Sequence, residues 1–516
     1  MDGDGDSLRK ITRGTGIAFI GLLVGLGSNF LCKILAAKIG TEEQYGNFSI
    51  ALSILNIGAI IATLGLIEGS ARSIAFSRGK NDIQKVQDLI TASLRLSLLV
   101  GIFLGLSIFL ASDLIDSGIF PKASVGFPLK IVATAVPFLT LIFVLAAVFR
   151  GFDNLRVRVY FQDILRNAGF LAPLAIIWVF NLSFNLVYYT LLASVLFCSI
   201  AVAIYSFRRL SFSPASIFRL RRDPVAKELL LFSLPLLGAT VLYLIVQATD
   251  TLMLGAIKGS ADTGLYSAAY PSAQFFAIPV AAVEVIYVPI ASGLYARGNL
   301  DDIRKTFSTI TKWISSASLP LFLVVFLFPE TVLRFLFGVD YTTADNALRI
   351  LCLGFMIQSV TGPNLATLIA MGRSNFVMFA TLATAIINVV LNLALIPPYG
   401  IEGAAIASAS SMVVINLIRG WKLYSLNRTH PFSRNLLKPA SVCVAIVMII
   451  YFVTRNAFSV EWWMLPILLL ACYVIYGFAM LVTWSIDEQD RELYFTVQRK
   501  TGIDLSFLSR LGGFFR

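Results

Sequence analysis

The chain has 516 residues, 57% of them hydrophobic and 14% charged, and a formal net charge of +12. A soluble globular domain carries about a quarter charged residues, so this composition, with its mean hydropathy of +0.82, excludes one and leaves a polytopic membrane protein. The positive excess lies in short loops between apolar stretches, where it meets anionic headgroups; nucleic acid is not an expected partner.

In chain order, residues 1–11 are polar and charged, and no small-residue cleavage site follows a short apolar core, so they read as a cytoplasmic N-terminus rather than a signal peptide. Apolar stretches follow at roughly 12–37, 46–70, 89–112, 128–149, 164–181, 186–206, 229–257, 265–293, 307–329, 344–371, 376–396, 401–424, 437–454 and 464–485. These predict an all-α fold of about fourteen transmembrane helices, most near the ~20 residues that a bilayer requires. Every second gap is basic. Arg72, Arg78, Lys80 and Lys85 fill one, and Arg150, Arg156, Arg158 and Arg166 the next. Arg208, Arg209, Arg219, Arg221, Arg222 and Lys227 follow, then Arg297, Arg304 and Lys305, then Arg428, Arg434 and Lys438. The alternate gaps hold only Lys38, Lys122, Lys258, Arg334 and Arg455. Cationic loops resist translocation, so the basic gaps and both termini are expected in the cytoplasm of a multi-pass cell-membrane protein.

The chain repeats at a period of about 220 residues. Arg78-Gly79 before Asp82-Ile83-Gln84-Lys85 matches Arg297-Gly298 before Asp302-Ile303-Arg304-Lys305. Gly46-Asn47-Phe48-Ser49 matches Gly264-Leu265-Tyr266-Ser267, Gly151 and Asn154 match Gly372 and Asn375, and Asn167 matches Asn388. Six helices per half make the repeats parallel, related by an axis along the membrane normal. The expected organisation is a six-helix lobe at 12–206, a basic linker at 207–228, a second six-helix lobe at 229–424, helices 13 and 14 at 437–485, and an amphipathic cytoplasmic tail at 487–516. Two such lobes would enclose a V-shaped cleft, a path for alternating access.

Charges inside spans are costly and face protein or water. Lys33 and Arg95, with Asn29, Gln247, Gln274 and Arg349, are the candidate substrate-binding residues. Asp250 and Glu284 are the ion-coupling candidates, and Asp250 falls, by the repeat, at nearly the depth of Lys33, where an ion pair between them would latch the lobes. Glu68, Lys130 and Lys312 lie near enough to helix ends to snorkel. Asn388 and Asn392, one turn apart, suit a helix–helix seam. The five cysteines are dispersed in apolar stretches without a CxxC, and His430 is the only histidine; no metal, cofactor or nucleophilic triad is expected, and no enzyme.

Three passages carry a resemblance. Leu35-Ala36-Ala37-Lys38-Ile39-Gly40-Thr41-Glu42-Glu43-Gln44-Tyr45-Gly46-Asn47-Phe48-Ser49 leads to Gly65-Leu66 and Ala71-Arg72; Asp250-Thr251-Leu252-Met253-Leu254-Gly255 leads to Gly264-Leu265-Tyr266-Ser267-Ala268-Ala269-Tyr270; and Asn388 and Asn392 lead to Ile396-Pro397-Pro398-Tyr399-Gly400-Ile401-Glu402-Gly403-Ala404-Ala405. Together they resemble the Wzx-type polysaccharide-biosynthesis flippases of the multidrug/oligosaccharidyl-lipid/polysaccharide exporter superfamily. The resemblance implies a transporter that moves a lipid-linked oligosaccharide, on a polyprenyl phosphate or diphosphate, from the cytoplasmic to the outer leaflet. The acids inside the spans point to H⁺ or Na⁺ as the coupling ion, and a monomer is expected. It assigns Lys33 and Arg95 to the cationic cavity. The related lipid II flippases have several arginines in their first two helices; here the first has only Lys33. The alternative is a cation-coupled multidrug exporter of the same superfamily, a branch with carboxylates in its amino-terminal lobe.

Overall fold

The computed structural model describes residues 21, 23–210, 224–454, 460–485 and 487. The expected N-terminus at 1–11, most of the linker at 207–228 and all but the first residue of the tail at 487–516 lie outside them. Among the described residues there are helices and no strands. Within the described residues each expected apolar stretch falls mainly on helix. Among those residues nine helices are long and apolar enough to cross a membrane, or up to eleven if each of two bent pairs counts as one span.

Helix α1 (23–39) leads into α2 (Glu42–Ala62), which opens on a capping box. The Thr41 hydroxyl accepts from the Gln44 amide at 3.3 Å, and the Gln44 side chain accepts from the Thr41 amide at 3.2 Å. Leu64 and Gly65, at φ 53° and 76°, break the span before α3 (Leu66–Gly79). Helices α4 (Ile83–Ile119) and α5 (Gly126–Gly151) follow. Small residues let these two close: a Cβ at Gly101 or Gly105 would press on Pro137 or the Ala133 carbonyl. A π-helical turn, Arg158–Leu165, precedes α6 (Arg166–Val179), and α7 (Asn185–Arg209) follows.

Next come α8 (Pro224–Ile257), α9 (Ser260–Gln274), a 3₁₀ turn at Phe275–Ala277 and α10 (Ile278–Ala296). They are followed by α11 (Leu300–Leu327), α12 (Pro329–Leu336), α13 (Asp345–Thr361) and α14 (Asn364–Ala370). Helix α15 (Ser374–Asn427) holds the eleventh and twelfth stretches and is broken at Gly400, φ 55° and ψ −126°. Helices α16 (Arg434–Thr454) and α17 (Met464–Val482) end the described chain.

Packing density divides the chain into two compact units. The first runs to Pro271 and takes in Leu336–Ala347 and Thr381–Ser408; the second holds Ser272–Phe335, Leu348–Ala380 and the chain from Ala409. In the first unit, α2 and α9, which the repeat pairs with one another, cross at bare glycines. A Cβ at Gly46 would strike the Ser260 carbonyl, and a Cβ at Gly264 would strike the Glu42 carbonyl. Each glycine thus faces the carbonyl four residues before its counterpart. Beside the crossing, the Asn47 side-chain oxygen accepts from the Ser260 hydroxyl at 2.5 Å and the Ser124 amide at 3.2 Å. Asn47, an acceptor sequon by sequence, is buried and committed.

The second unit is built on α11. Val280, Tyr287, Ile310, Ile314 and Ala366 form one apolar cluster, and Ile303, Phe307, Leu368 and Leu423 another. Lys312 corrects an expectation here: it does not snorkel. It is 1% exposed, bonds Asp487 at 2.6 Å and donates to the Ser485 carbonyl at 3.3 Å, while Asn435 donates to the same Asp487 carboxylate. Ser316 and the Tyr476 hydroxyl, 2.8 Å apart, continue this polar seam between α11 and α17. Glu68 and Lys130 do sit at helix ends, paired at 2.8 Å with Arg150 and Asp113.

Candidate functional site

A cavity of about 70 Å³ lies inside the first unit, walled by α1, α2, α5, α6 and α7. Its polar lining is Asn29 and Lys33 from α1, Asn56 from α2, Arg166 and Asn167 from α6, and Ser194 from α7. Phe48 and Phe170, their rings stacked 6.2 Å apart, belong to its apolar wall. Asn167 is fixed from behind: its amide donates to the Asp163 carbonyl at 2.9 Å and the Gly25 carbonyl at 3.3 Å. Lys33 and Asn29 therefore share one cavity, as their candidacy requires.

Arg95, half-buried on α4, is not part of that lining; Arg166 lines it together with Lys33. By sequence Arg166 reads as one of the loop cations that fix topology. The physical reason for the difference is that helix begins earlier than hydropathy suggests: the polar sequence Arg158–Leu165 is already helical, and it carries Arg166 inward. A basic residue two positions inside the expected stretch at 164–181 is the signal that could have marked it.

A second polar cluster lies in the same unit on repeat-related helices. Asp250 of α8 is 3% exposed. Its carboxylate accepts from the Tyr266 hydroxyl of α9 at 2.5 Å, from the Ser408 hydroxyl, and from the Asn392 and Asn388 amides of α15 at 2.7 and 3.3 Å. Asn392 also donates to the Asn388 side-chain oxygen at 3.1 Å, and its own side-chain oxygen is buried without a partner among the described residues. The asparagines of α15 bond across to α8, as an interhelical seam does, and the group they hold is an acid; Asp250 bonds these four donors and not Lys33. Gln247, on the same face of α8 as Asp250, accepts from the Tyr270 hydroxyl at 2.8 Å. The repeat sets Tyr266 against Phe48 and Asn388 against Asn167, so acid cluster and cationic cavity occupy corresponding helices of the two halves.

The remaining candidates belong to the second unit. Gln274 ends α9, Arg349 is half-buried on α13, and Glu284 of α10 interacts electrostatically with Arg419 of α15. They do not join the cavity.

With the geometry in hand, residues 35–346 match the polysaccharide biosynthesis protein family. The chain belongs to that family. A relative named as the probable low-salt glycan biosynthesis flippase Agl15, of Haloferax volcanii, is 25% identical over 176 residues, 34% of this chain and 37% of that protein; the chain thus spans well under half the length of this relative. Among solved structures, an inward-facing multidrug resistance MATE family transporter of the MOP superfamily superposes with a TM-score of 0.67 at 16% identity, covering 78% of this chain and 95% of that one. The lipid II flippase MurJ, in an inward closed conformation, gives 0.65 at 14% identity and covers 90% and 99%. These likenesses establish the fold, a multi-pass helical membrane architecture shared across that superfamily.

Proposed function

We propose that this family member is a flippase that moves a lipid-linked oligosaccharide across the cell membrane from the cytoplasmic to the outer leaflet. The observation that carries the reading is a cavity lined by two cations and three carboxamides within the segment that matches the family. Cations and amides suit a phosphorylated, hydroxyl-rich cargo. The flippase named among the relatives points the same way. A cation-coupled drug exporter would want carboxylates where Lys33 and Arg166 stand. The protein acts by binding and conformational change on the lobes proposed at 12–206 and 229–424, and as a monomer.

Coupling to H⁺ or Na⁺ falls to Asp250. One carboxylate, the Ser408 hydroxyl and the orphaned Asn392 oxygen supply the hard oxygens that a small cation prefers. Entry of a proton or Na⁺ would release donors that now hold the carboxylate.

The test is a deletion strain that accumulates lipid-linked sugar on the cytoplasmic side, complemented by wild type and variants. Wild type should restore surface glycan and Lys33→Ala should not, with the variant protein present in the membrane. A deletion strain with normal surface glycan and no accumulated intermediate would refute the reading.

A further inference from the structure

A second close crossing lies within the first unit, on the side that the charge pattern assigns to the cytoplasm. Gly65, which caps α3, then Gly69 and Arg72 fall on one stripe of that helix, at i, i+4 and i+7. Glu228, Phe232 and Ser233 of α8 face them. A Cβ at Gly65 would strike the Ser233 carbonyl, and one at Gly69 would strike the Ser233 hydroxyl, so the two helices meet at backbone distance. Arg72 lies over the Phe232 ring at 4.4 Å, and Lys85, at the start of α4, bonds Glu228 at 3.1 Å. The Ser233 hydroxyl is the anomaly. It is fully buried and has no hydrogen-bond partner among the described residues. Other buried helical serines, such as Ser70, Ser93 and Ser206, donate to the carbonyl four residues back; Ser233 lies against Gly69 instead.

A hydroxyl buried without a partner raises the free energy of the contact that buries it. The penalty vanishes when the contact parts and water reaches the group. The α2–α9 crossing, on the side expected outside, carries no such penalty: there Ser260 donates to Asn47 at 2.5 Å, and the Tyr45 hydroxyl donates to the Ser267 carbonyl at 3.2 Å. The charged fastening between α4 and α8 is an ion pair whose side chains are 36% and 68% exposed, and pairs of that kind hold weakly. We infer that the α3–α8 contact is a releasable seal on the cytoplasmic side, latched by Lys85 and Glu228, and that the Ser233 hydroxyl keeps it releasable. The two glycines let the closed seal exclude water; the hydroxyl limits how stable that closed state becomes. Alanine at position 233 would fit the same space and hold the seal shut. The seal itself rests on these contacts; its use as the entrance for cargo rests on the flippase reading.

The experiment uses the full-length protein in proteoliposomes, with spin labels attached through Gln84→Cys and Lys227→Cys, exposed neighbours of the latch. The five native cysteines are buried. The otherwise unaltered protein should show a short distance for the closed seal and a longer one for the open seal. Ser233→Ala should shift their ratio toward the short distance by about five- to hundredfold, the scale of a relieved orphan hydroxyl. It should also raise the melting temperature and slow translocation of lipid-linked sugar. Glu228→Gln should shift the ratio the other way by about two- to fivefold, and the exchanged pair, Lys85→Glu with Glu228→Lys, should restore it. A protein that shows the short distance alone overturns the inference. So does a folded Ser233→Ala protein that keeps the original ratio, even one that melts higher, because a hydroxyl in permanent packing would change melting and nothing else. The two claims fail separately: a seal that shifts as expected in a protein that moves no glycolipid sinks the flippase reading alone, and unchanged ratios with normal transport sink the seal alone.

Discussion

Lys312 is a buried cation held by the Asp487 carboxylate and the Ser485 carbonyl. It is fully buried, and Asp487, at 35% exposure, neutralises it. Removing one partner of a buried pair leaves a charge without compensation, whereas replacing the lysine by an apolar side chain of similar length does not. Asp487→Ala should therefore lower unfolding stability by about 3 kcal/mol, the lower end for buried pairs because Asp487 keeps part of its hydration. Lys312→Met should cost clearly less, and the double variant should recover most of the loss; thermal melts in detergent with each protein measure this. Asp250 is the opposite case, an acid held by four donors. Asp250→Asn should keep the fold and remove the dependence of vesicle transport on an imposed Na⁺ or pH gradient; a rate and gradient response both unchanged would end its coupling role. At this scale the sequence was legible in part. Lys33, Asn29 and Asp250 announced themselves as polar groups in apolar runs. Arg166 did not, because it sits where a run begins, and Asn388 and Asn392 did not, because their partner lies 138 and 142 residues away.

Helices were the most readable element, since a bilayer enforces long apolar runs. Breaks inside them were not, because the break at Leu64-Gly65, the kink at Gly400 and the π turn at Arg158–Leu165 change the register without changing hydropathy. The glycine crossing makes a sharp prediction. Gly46→Val and Gly264→Val each force a side chain against backbone and should each destabilise by about 1–3 kcal/mol. Gly79→Ala meets nothing within 4 Å and should be neutral or stabilise by about 0.5–1 kcal/mol. Equal losses at the two crossing glycines, measured by melting, are the result to expect.

For the whole molecule, orientation in the membrane follows from the distribution of Lys and Arg. Gaps rich in Lys and Arg alternate with gaps nearly free of them, which predicts Arg221 in the cytoplasm and Lys258 outside. In intact cells, an impermeant thiol reagent should modify a cysteine at position 258 and spare one at 221; the reverse pattern would invert both topology and direction of transport. Composition and charge alone carried the reading this far, because the bilayer is a strong and simple solvent. Which helices pack into which unit was not legible, since that depends on small residues such as Gly46 and Gly264 that look alike in every span.

That crossing also bears on how the chain came to be. A contact in which each of two corresponding glycines meets the carbonyl four positions before the other has the form of a self-complementary interface about a twofold axis. Such an interface works equally well between two copies of one shorter chain. It is the contact expected of a half-length ancestor that assembled as a homodimer before gene fusion joined its copies. The fused descendant would then retain the capacity for assembly from parts: the two halves, cut within the linker at 207–228 and produced together in one cell, should find each other and restore surface glycan, and a valine at either glycine should prevent it.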